Sequence, residues 1–242
     1  MNLIIDVGNS FVKLAVFKNN ELCYKKSVKI DEVINGIKDI NKKNTIHKAI
    51  ISSVGRLKKK EIKEIEGLFN TTILNANTNI PFKNLYKTPK TLGVDRIALV
   101  CASIREFSSK NVLIIDAGTC ITYDFINNKN EYLGGAISPG IRTRYKSLNN
   151  LTANLPLLNT TMPKNIIGDS TNESIHSGVV FGVLNEIEGI IQSYKLKYSD
   201  LTVILTGGDT KFLSKQLKSS IFANPNFLLE GLNFILQFNS NE

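Results

Sequence analysis

The chain has 242 residues, 42% hydrophobic, 8% aromatic and 21% charged, a globular balance that excludes disorder, collagen-like repeats and mucin-like stalks. Its formal charge of +9 is scattered, and the densest basic run, Lys58-Lys59-Lys60, leads into Glu61, Glu64 and Glu66 as on a solvated helix face, so a dedicated nucleic-acid surface is disfavoured. No apolar run approaches the roughly 18 residues needed to cross a bilayer, MNLIID lacks a secretory pattern, and Cys23, Cys101 and Cys120 are too few and too separated for a disulfide framework, so a cytoplasmic protein with reduced thiols is expected.

In chain order, Leu3 to Val7 reads as a buried strand, and Phe11 to Phe17 as a second strand ending at the Asn19-Asn20 turn, with another strand beyond. Asp31 to Lys42 carries Val33, Ile34, Ile37 and Ile40 at helical spacing, with Asp31 as a cap. Lys48 to Val54 is strand-like, Leu57 to Phe69 helical, and Thr71 to Leu74 a short strand. Thr91 to Phe107 places Ile97, Val100, Ile104 and Phe107 on one helix face, with Cys101 as a core residue. The second half opens on Leu113 to Ala117, then Ile121 to Ile126, an Asn127-Asn128 turn and a further strand. Asn172 to Lys195 predicts a long helix carrying Gly178 and Gly182, whose ordinary role is close helix packing. Leu201 to Leu205 reads as a strand, Lys211 to Ser219 as a helix capped by Asp209, and Phe227 to Phe238 as a closing helix.

The two halves open alike. Leu3-Ile4-Ile5-Asp6-Val7-Gly8 returns as Leu113-Ile114-Ile115-Asp116-Ala117-Gly118, each followed by small polar residues: Asn9 and Ser10 in one copy, Thr119 in the other. Three antiparallel strands, then alternating helices and parallel strands, made twice, predict a two-domain α/β protein: residues 1–108 and 109–242, with the active site in a cleft between them. In an Asp-x-Gly turn, glycine lets the backbone approach a phosphate and present its N–H groups. Hydroxyl and amide side chains at Asn9, Ser10 and Thr119 can donate to phosphate oxygens. Asp6 and Asp116 can hold a cation directly or through water, and Lys13 can reach the same phosphates. Paired glycines at Gly207-Gly208, between strand and helix, leave room for a flat ring such as adenine.

DVGNSFVK (Asp6 to Lys13), DAGT (Asp116 to Thr119) and TGGD (Thr206 to Asp209), in that order, resemble the acetate and sugar kinase, heat-shock ATPase and actin superfamily, with its two ribonuclease-H-like domains of duplicated origin. YKTPKTLGVDR (Tyr86 to Arg96), GGAISPG (Gly134 to Gly140), TANLP (Thr152 to Pro156) and GDSTNESIHSG (Gly168 to Gly178) narrow the resemblance to type III pantothenate kinase, from about Leu3 to Leu232. The resemblance implies ATP-dependent phosphorylation of pantothenate to 4'-phosphopantothenate, the first step of coenzyme A biosynthesis. It implies that Asp6, Val7, Gly8, Asn9, Ser10, Phe11, Val12 and Lys13 form the first ATP loop, with Thr119, Gly207 and Gly208 as further ATP contacts. Gly93, Val94, Asp95 and Arg96 would bind pantothenate, with Tyr86 and Thr171 beside them and Asp95 as proton acceptor. Asp116 would ligate a monovalent cation, K⁺ or NH₄⁺, and Asp6 would serve Mg²⁺. A homodimer is also implied. Ser10 stands where threonine is common and Cys120 where alanine is frequent; Arg142 and Arg144 match no assigned family role.

Other chemistries lack their parts. The sequence has no Gly-x-x-x-x-Gly-Lys-Ser/Thr loop, Gly-x-Gly-x-x-Gly or Gly-x-Ser-x-Gly, and its two histidines, His47 and His176, are isolated. Two alternatives remain at the level of sequence. One is another small-hydroxyl or sugar kinase of the superfamily, against which the Tyr86 to Arg96 segment argues. The other is a non-catalytic nucleic-acid-binding regulator on the same fold.

Overall fold

A computed structural model describes residues 1–8, 11–52 and 57–240. It divides into two compact units: Met1–Ser108 joined by the segment from Phe227, and Ser109–Asn226. The first unit contains β1 (Asn2–Val7), β2 (Val12–Lys18), β3 (Glu21–Val28), α1 (Val33–Lys43), β4 (Lys48–Ile51), α2 (Lys59–Leu68), β5 (Asn70–Ile73), the two-residue β6 (Lys83–Asn84) and α3 (Val94–Phe107). The second contains β7 (Val112–Ala117), β8 (Cys120–Ile126), β9 (Glu131–Pro139), α4 (Ile141–Leu151), α5 (Thr171–Lys197), β10 (Thr202–Thr206), α6 (Thr210–Leu213) and β11 (Phe222–Ala223). The last helix, α7 (Phe227–Phe238), returns to the first unit.

The repeat seen in the sequence is a repeat of topology. The first sheet runs β3-β2-β1-β4-β5, and five strands of the second unit run β11-β10-β7-β8-β9, the same order read from the opposite edge. In each, the first strand is central and pairs antiparallel with its hairpin partner and parallel with a later strand. Leu3, Ile4 and Ile5, like Leu113, Ile114 and Ile115, are fully buried, as a strand covered on both faces requires. β3 is an edge strand whose exposed middle carries Lys25 and Lys26, charges that discourage edge-to-edge pairing.

Several expected boundaries move. Asp31 lies inside a 3-10 turn (Ile30–Glu32) ahead of α1 and does not cap it. The carboxylate of Glu32 instead accepts the Lys29 N–H at 3.3 Å. The helix expected from Thr91 begins at Val94, after a 3-10 turn over Pro89–Thr91. The strand expected to Val54 ends at Ile51, its remainder reaching residues outside those described. The helix expected over Lys211 to Ser219 is a single turn, Thr210–Leu213. The backbone N–H groups of Lys218 and Ser219, which would continue a helix, donate instead to the Glu188 carboxylate at 2.6 and 3.1 Å. Three elements, β6, α4 and β11, were not expected. α4 is polar on most of its surface, yet Ile141 and Tyr145 are buried and Leu148 packs beside them, one narrow helical stripe.

The placement of α7 corrects the expected domain boundary. It packs on α3, where a side chain on Gly231 would stand 2.0 Å from the Ala98 carbonyl oxygen and 3.2 Å from the Ala102 methyl. The fully buried Asn233 accepts from Asn2 Nδ2 at 2.9 Å and donates to the Asn19 carbonyl at 2.8 Å. These contacts tie α7 to β1 and to the β2–β3 turn. Among the described residues, no helix is long and apolar enough to cross a membrane.

Candidate active site

In the first unit, Asp6 sits near the end of β1 and is largely buried. One carboxylate oxygen accepts from Ser52 Oγ at 3.0 Å, and the other lies 3.5 Å from Lys13 Nζ. The hairpin register puts Asp6 directly opposite Lys13. Ser52 follows β4, whose parallel pairing with β1 aligns Ile51 with Ile5. Its hydroxyl also accepts the Val7 N–H at 3.1 Å, so it fixes both the carboxylate and the backbone leading into the turn. The turn closes with Gly8 N–H donating to the Phe11 carbonyl at 3.1 Å. Phe11 is exposed, whereas Val7 and Val12 belong to the apolar core. The expected phosphate contacts Asn9 and Ser10 lie outside the described residues. Ser52 was not singled out from the sequence; its signal was a hydroxyl at the end of a buried apolar run.

The same unit carries Gly93, Val94, Asp95 and Arg96 at the start of α3, with Gly93 as the N-cap residue. Asp95 is exposed in the first helical turn, where the helix dipole favours a negative charge. Its carboxylate accepts the Arg96 N–H at 2.8 Å. A Cβ on Gly93 would stand 2.3 Å from Asp95 Oδ1, so glycine at that position is what leaves the carboxylate where it is. Arg96 is buried, and its guanidinium carbon lies 5.6 Å from the centre of the half-buried Tyr86 ring, a cation–π contact. Tyr86, Asp95 and Arg96 are thus brought together.

In the second unit, Asp116 is half-buried near the end of β7, and the following turn is one residue tighter. Ala117 pairs with Ile121, where Val7 pairs with Val12. Gly118 N–H donates to the Cys120 carbonyl at 2.9 Å, and Thr119 at the tip is exposed. Gly207 has φ of +95°, and a Cβ there would stand 2.3 Å from both Asp116 Oδ1 and the Ala117 carbonyl oxygen. Only glycine fits that position. Around Gly208, by contrast, nothing lies within 4 Å of the place a Cβ would take, so this face of the turn is open. Asp209 starts α6 without a side-chain capping bond, contrary to expectation. Its N–H donates to the Ala117 carbonyl at 3.0 Å, and burial pushes its carboxyl above the usual range. Thr171 is the exposed first residue of α5, behind the N-cap Ser170, whose hydroxyl accepts from Glu173 N–H at 3.3 Å.

The two arginines without a family role prove to be ties within the unit. Arg142 donates to the Leu158 carbonyl at 3.1 Å and to Asn159 Oδ1 at 3.2 Å. Arg144 donates to the Pro139 carbonyl and to Ser138 Oγ, both at 2.9 Å, and pairs with Glu186, which also accepts from the Tyr123 hydroxyl at 2.8 Å. Burial alone would raise the Glu186 carboxyl, but hydrogen bonds from Arg144, Tyr123 and Ser138 outweigh it and hold the group below the usual range. His176 is a core partner, 2.7 Å from the Tyr145 hydroxyl through Nδ1. Cys101 is fully buried, and that burial pushes its thiol up, away from nucleophilic use. Among the described residues, no three His, Cys, Asp or Glu side chains cluster as a metal cage. Nucleotide-bound Mg²⁺ fits that donor set, because it is held by one or two carboxylates together with substrate phosphates and water.

Comparison with known proteins agrees with this geometry. A protein from Campylobacter jejuni, described in its crystal structure as of the Baf family of transcriptional activators, has a similar fold, with a TM-score of 0.67 at 24% identity over 99% of this chain and 100% of its own. A ROK family glucokinase from Streptomyces griseus, solved with glucose and AMPPNP, superposes with a TM-score of 0.52 at 10% identity over 100% and 99%. These likenesses establish a shared two-domain α/β fold. At the level of sequence, a type III pantothenate kinase of Christiangramia forsetii is 51% identical over the whole of both chains. The family model for type III pantothenate kinase matches residues 2–193, and the chain belongs to that family.

Proposed function

We propose that this chain transfers the γ-phosphoryl group of ATP to the primary hydroxyl of pantothenate, giving 4'-phosphopantothenate and ADP. The observation that carries this reading is the exposed Asp95 carboxylate, cleared by Gly93 and set beside Arg96 and Tyr86. In the reaction the substrate oxygen bonds to the γ-phosphorus, the bond from that phosphorus to the β–γ bridging oxygen breaks, and the hydroxyl proton passes to Asp95. In the loose transition state of phosphoryl transfer the hydroxyl proton leaves late, and Asp95 serves chiefly to orient the hydroxyl. Arg96 pairs with the pantothenate carboxylate, while Tyr86 packs on its branched end and Thr171 touches the same substrate.

The nucleotide phosphates meet Gly8, Asn9, Ser10 and Lys13 from the first turn and Thr119 from the second, with the adenosine along the open face of Gly207-Gly208. Asp6 would hold Mg²⁺ and Asp116 a monovalent cation, K⁺ or NH₄⁺, and the chemistry such cations would supply is charge neutralisation on the phosphates. Ion pairing of Lys13 with Asp6 at 3.5 Å keeps the lysine beside the turn before nucleotide arrives. A homodimer and a cytoplasmic location complete the reading. The exposed face of α5 supports the first: nothing lies within 4 Å of where a Cβ on Gly178 or Gly189 would stand.

The test is ADP release with pantothenate and Mg²⁺, in K⁺ against Na⁺, for the native chain and Asp95→Asn. Pantothenate-dependent turnover, stronger in K⁺ and at least ~100-fold lower in the variant, is expected from the usual worth of a general base. Full activity of the variant would remove Asp95 from its role. Turnover of a sugar in preference to pantothenate would overturn the substrate.

A further inference from the structure

We infer that Thr143, on the first turn of α4, is a positioning residue for ATP that acts through the backbone of Thr119. The inference rests on the reading of Thr119 as an ATP contact. The Thr119 carbonyl accepts two hydrogen bonds, from Thr143 Oγ1 at 2.6 Å and from Gly140 N–H at 3.0 Å. A carbonyl oxygen has two acceptor sites, so both are taken and the peptide between Thr119 and Cys120 is fixed in orientation. A third constraint comes from Gly140 itself. A Cβ there would stand 2.0 Å from the Gly118 carbonyl oxygen and 2.9 Å from that of Thr119, so the turn lies directly against the start of α4. The Thr119 side chain stays exposed.

The support continues behind the turn. Arg144, next to Thr143, holds Ser138 and Pro139, the residues that lead into Gly140, and is itself paired with Glu186 on α5. Cys120, which follows Thr119, lies opposite Pro139 in the β8–β9 register. Among the described residues, Thr143 is the one side-chain hydroxyl that grips the Thr119 backbone, beside a contact made by main chain. A hydroxyl that must meet a phosphate oxygen has to be held within about 0.5 Å of its productive place, and loosening its backbone weakens that contact while leaving Tyr86, Asp95 and Arg96 untouched.

The experiment compares Thr143→Val, which keeps the shape and removes the donor, with Thr143→Ser, which keeps the donor, and Thr119→Val as the reference for the contact itself. Each is measured for KM of ATP, KM of pantothenate, kcat, thermal midpoint and direct calorimetric binding of Mg²⁺–ADP. Thr143→Val should raise the ATP KM and weaken ADP binding by about three- to tenfold, the net worth of one hydrogen bond. It should leave the pantothenate KM within about twofold and the thermal midpoint unchanged, and Thr143→Ser should behave as the native chain. The inference is overturned if Thr143→Val binds nucleotide normally while Thr119→Val does not. It is equally overturned if Thr143→Val lowers the thermal midpoint and shifts both KM values together without rescue by serine. If Thr119→Val binds nucleotide normally, the reading of Thr119 fails and takes this inference with it. A native chain that binds Mg²⁺–ADP but does not phosphorylate pantothenate would overturn the substrate assignment alone, since the nucleotide titrations still decide on Thr143.

Discussion

The two Asp-x-Gly turns share a local pattern and are held by different contacts. In the first, the carboxylate itself is tied down: Asp6 accepts from Ser52 and faces Lys13. In the second, the Thr119 carbonyl is held by Gly140 and Thr143, and the Ala117 carbonyl by Asp209 N–H. The residue corresponding to Lys13 in the register is Thr122, opposite Asp116, so no lysine is built in across from the second aspartate. The comparison teaches that a repeated strand–turn–strand supplies two similar presentations of N–H groups, while the surrounding strands decide what charge each presentation carries. The first turn has a lysine across the hairpin from its aspartate, and the second has a threonine there.

The largest expected effect separates the two aspartates. Asp6→Asn should lower pantothenate-dependent kcat by on the order of 10²–10³, the usual cost of losing one preorganised electrostatic group, whatever the monovalent cation concentration. Asp116→Asn should raise the concentration of K⁺ needed for half-maximal rate. If Asp116→Asn is as damaging as Asp6→Asn at every K⁺ concentration, the two turns do not differ as described.

A second contrast concerns stability. Gly207→Ala places a Cβ on the Asp116 carboxylate and the Ala117 carbonyl at a left-handed φ, and should cost about 2 kcal/mol or more in urea unfolding. Gly8→Ala, whose Cβ would lie 3.0 Å from the Phe11 carbonyl oxygen, should cost under about 1 kcal/mol. Equal losses would erase the distinction. Ser52→Ala tests the tie on the first turn. It leaves the buried Val7 N–H without its acceptor and should cost about 1–2 kcal/mol, with a rise in ATP KM in the same preparation; a fully active, fully stable variant would show the tie to be idle.

The smallest effect is a pH dependence confined to the second unit. Glu186 has a folded-state carboxyl held below its ordinary value, since hydrogen bonds from Arg144, Tyr123 and Ser138 outweigh the opposing burial. Its stabilisation is fully present above the unfolded pKa of about 4.3 and is lost as pH falls through the lower folded value. Asp209 runs the other way: burial raises its carboxyl, so its ionisation weakens the fold as pH rises above the unfolded value of about 3.9. Urea unfolding at stepped pH should therefore show a loss on acidification between about pH 5 and 3 that is smaller in Glu186→Gln, and an unaltered slope in that variant would remove the group from the account.

Much of this was legible in the sequence because it depends on residues close together in the chain. Apolar runs ended by Asp-x-Gly set the two central strands and their turns, and the spacing of Ile175, Val179, Val183 and Ile187 set the long helix α5. The spacing of Ile97, Val100 and Ile104 set helix α3, although it begins at Val94 and not at Thr91. What the tertiary structure alone decided involves groups far apart in sequence. Ser52 meets Asp6 only through the parallel register of β4 on β1. Thr143 meets Thr119 only because β9 returns beside β8. The segment after Leu213 stops being helical because Glu188, on another helix, takes its N–H groups, and α7 belongs to the first unit because Gly231 fits against Ala98. Local pattern fixes backbone form through sterics and burial of one face. Which polar group then answers which is set by strand register and crossover packing, which no short window of sequence contains.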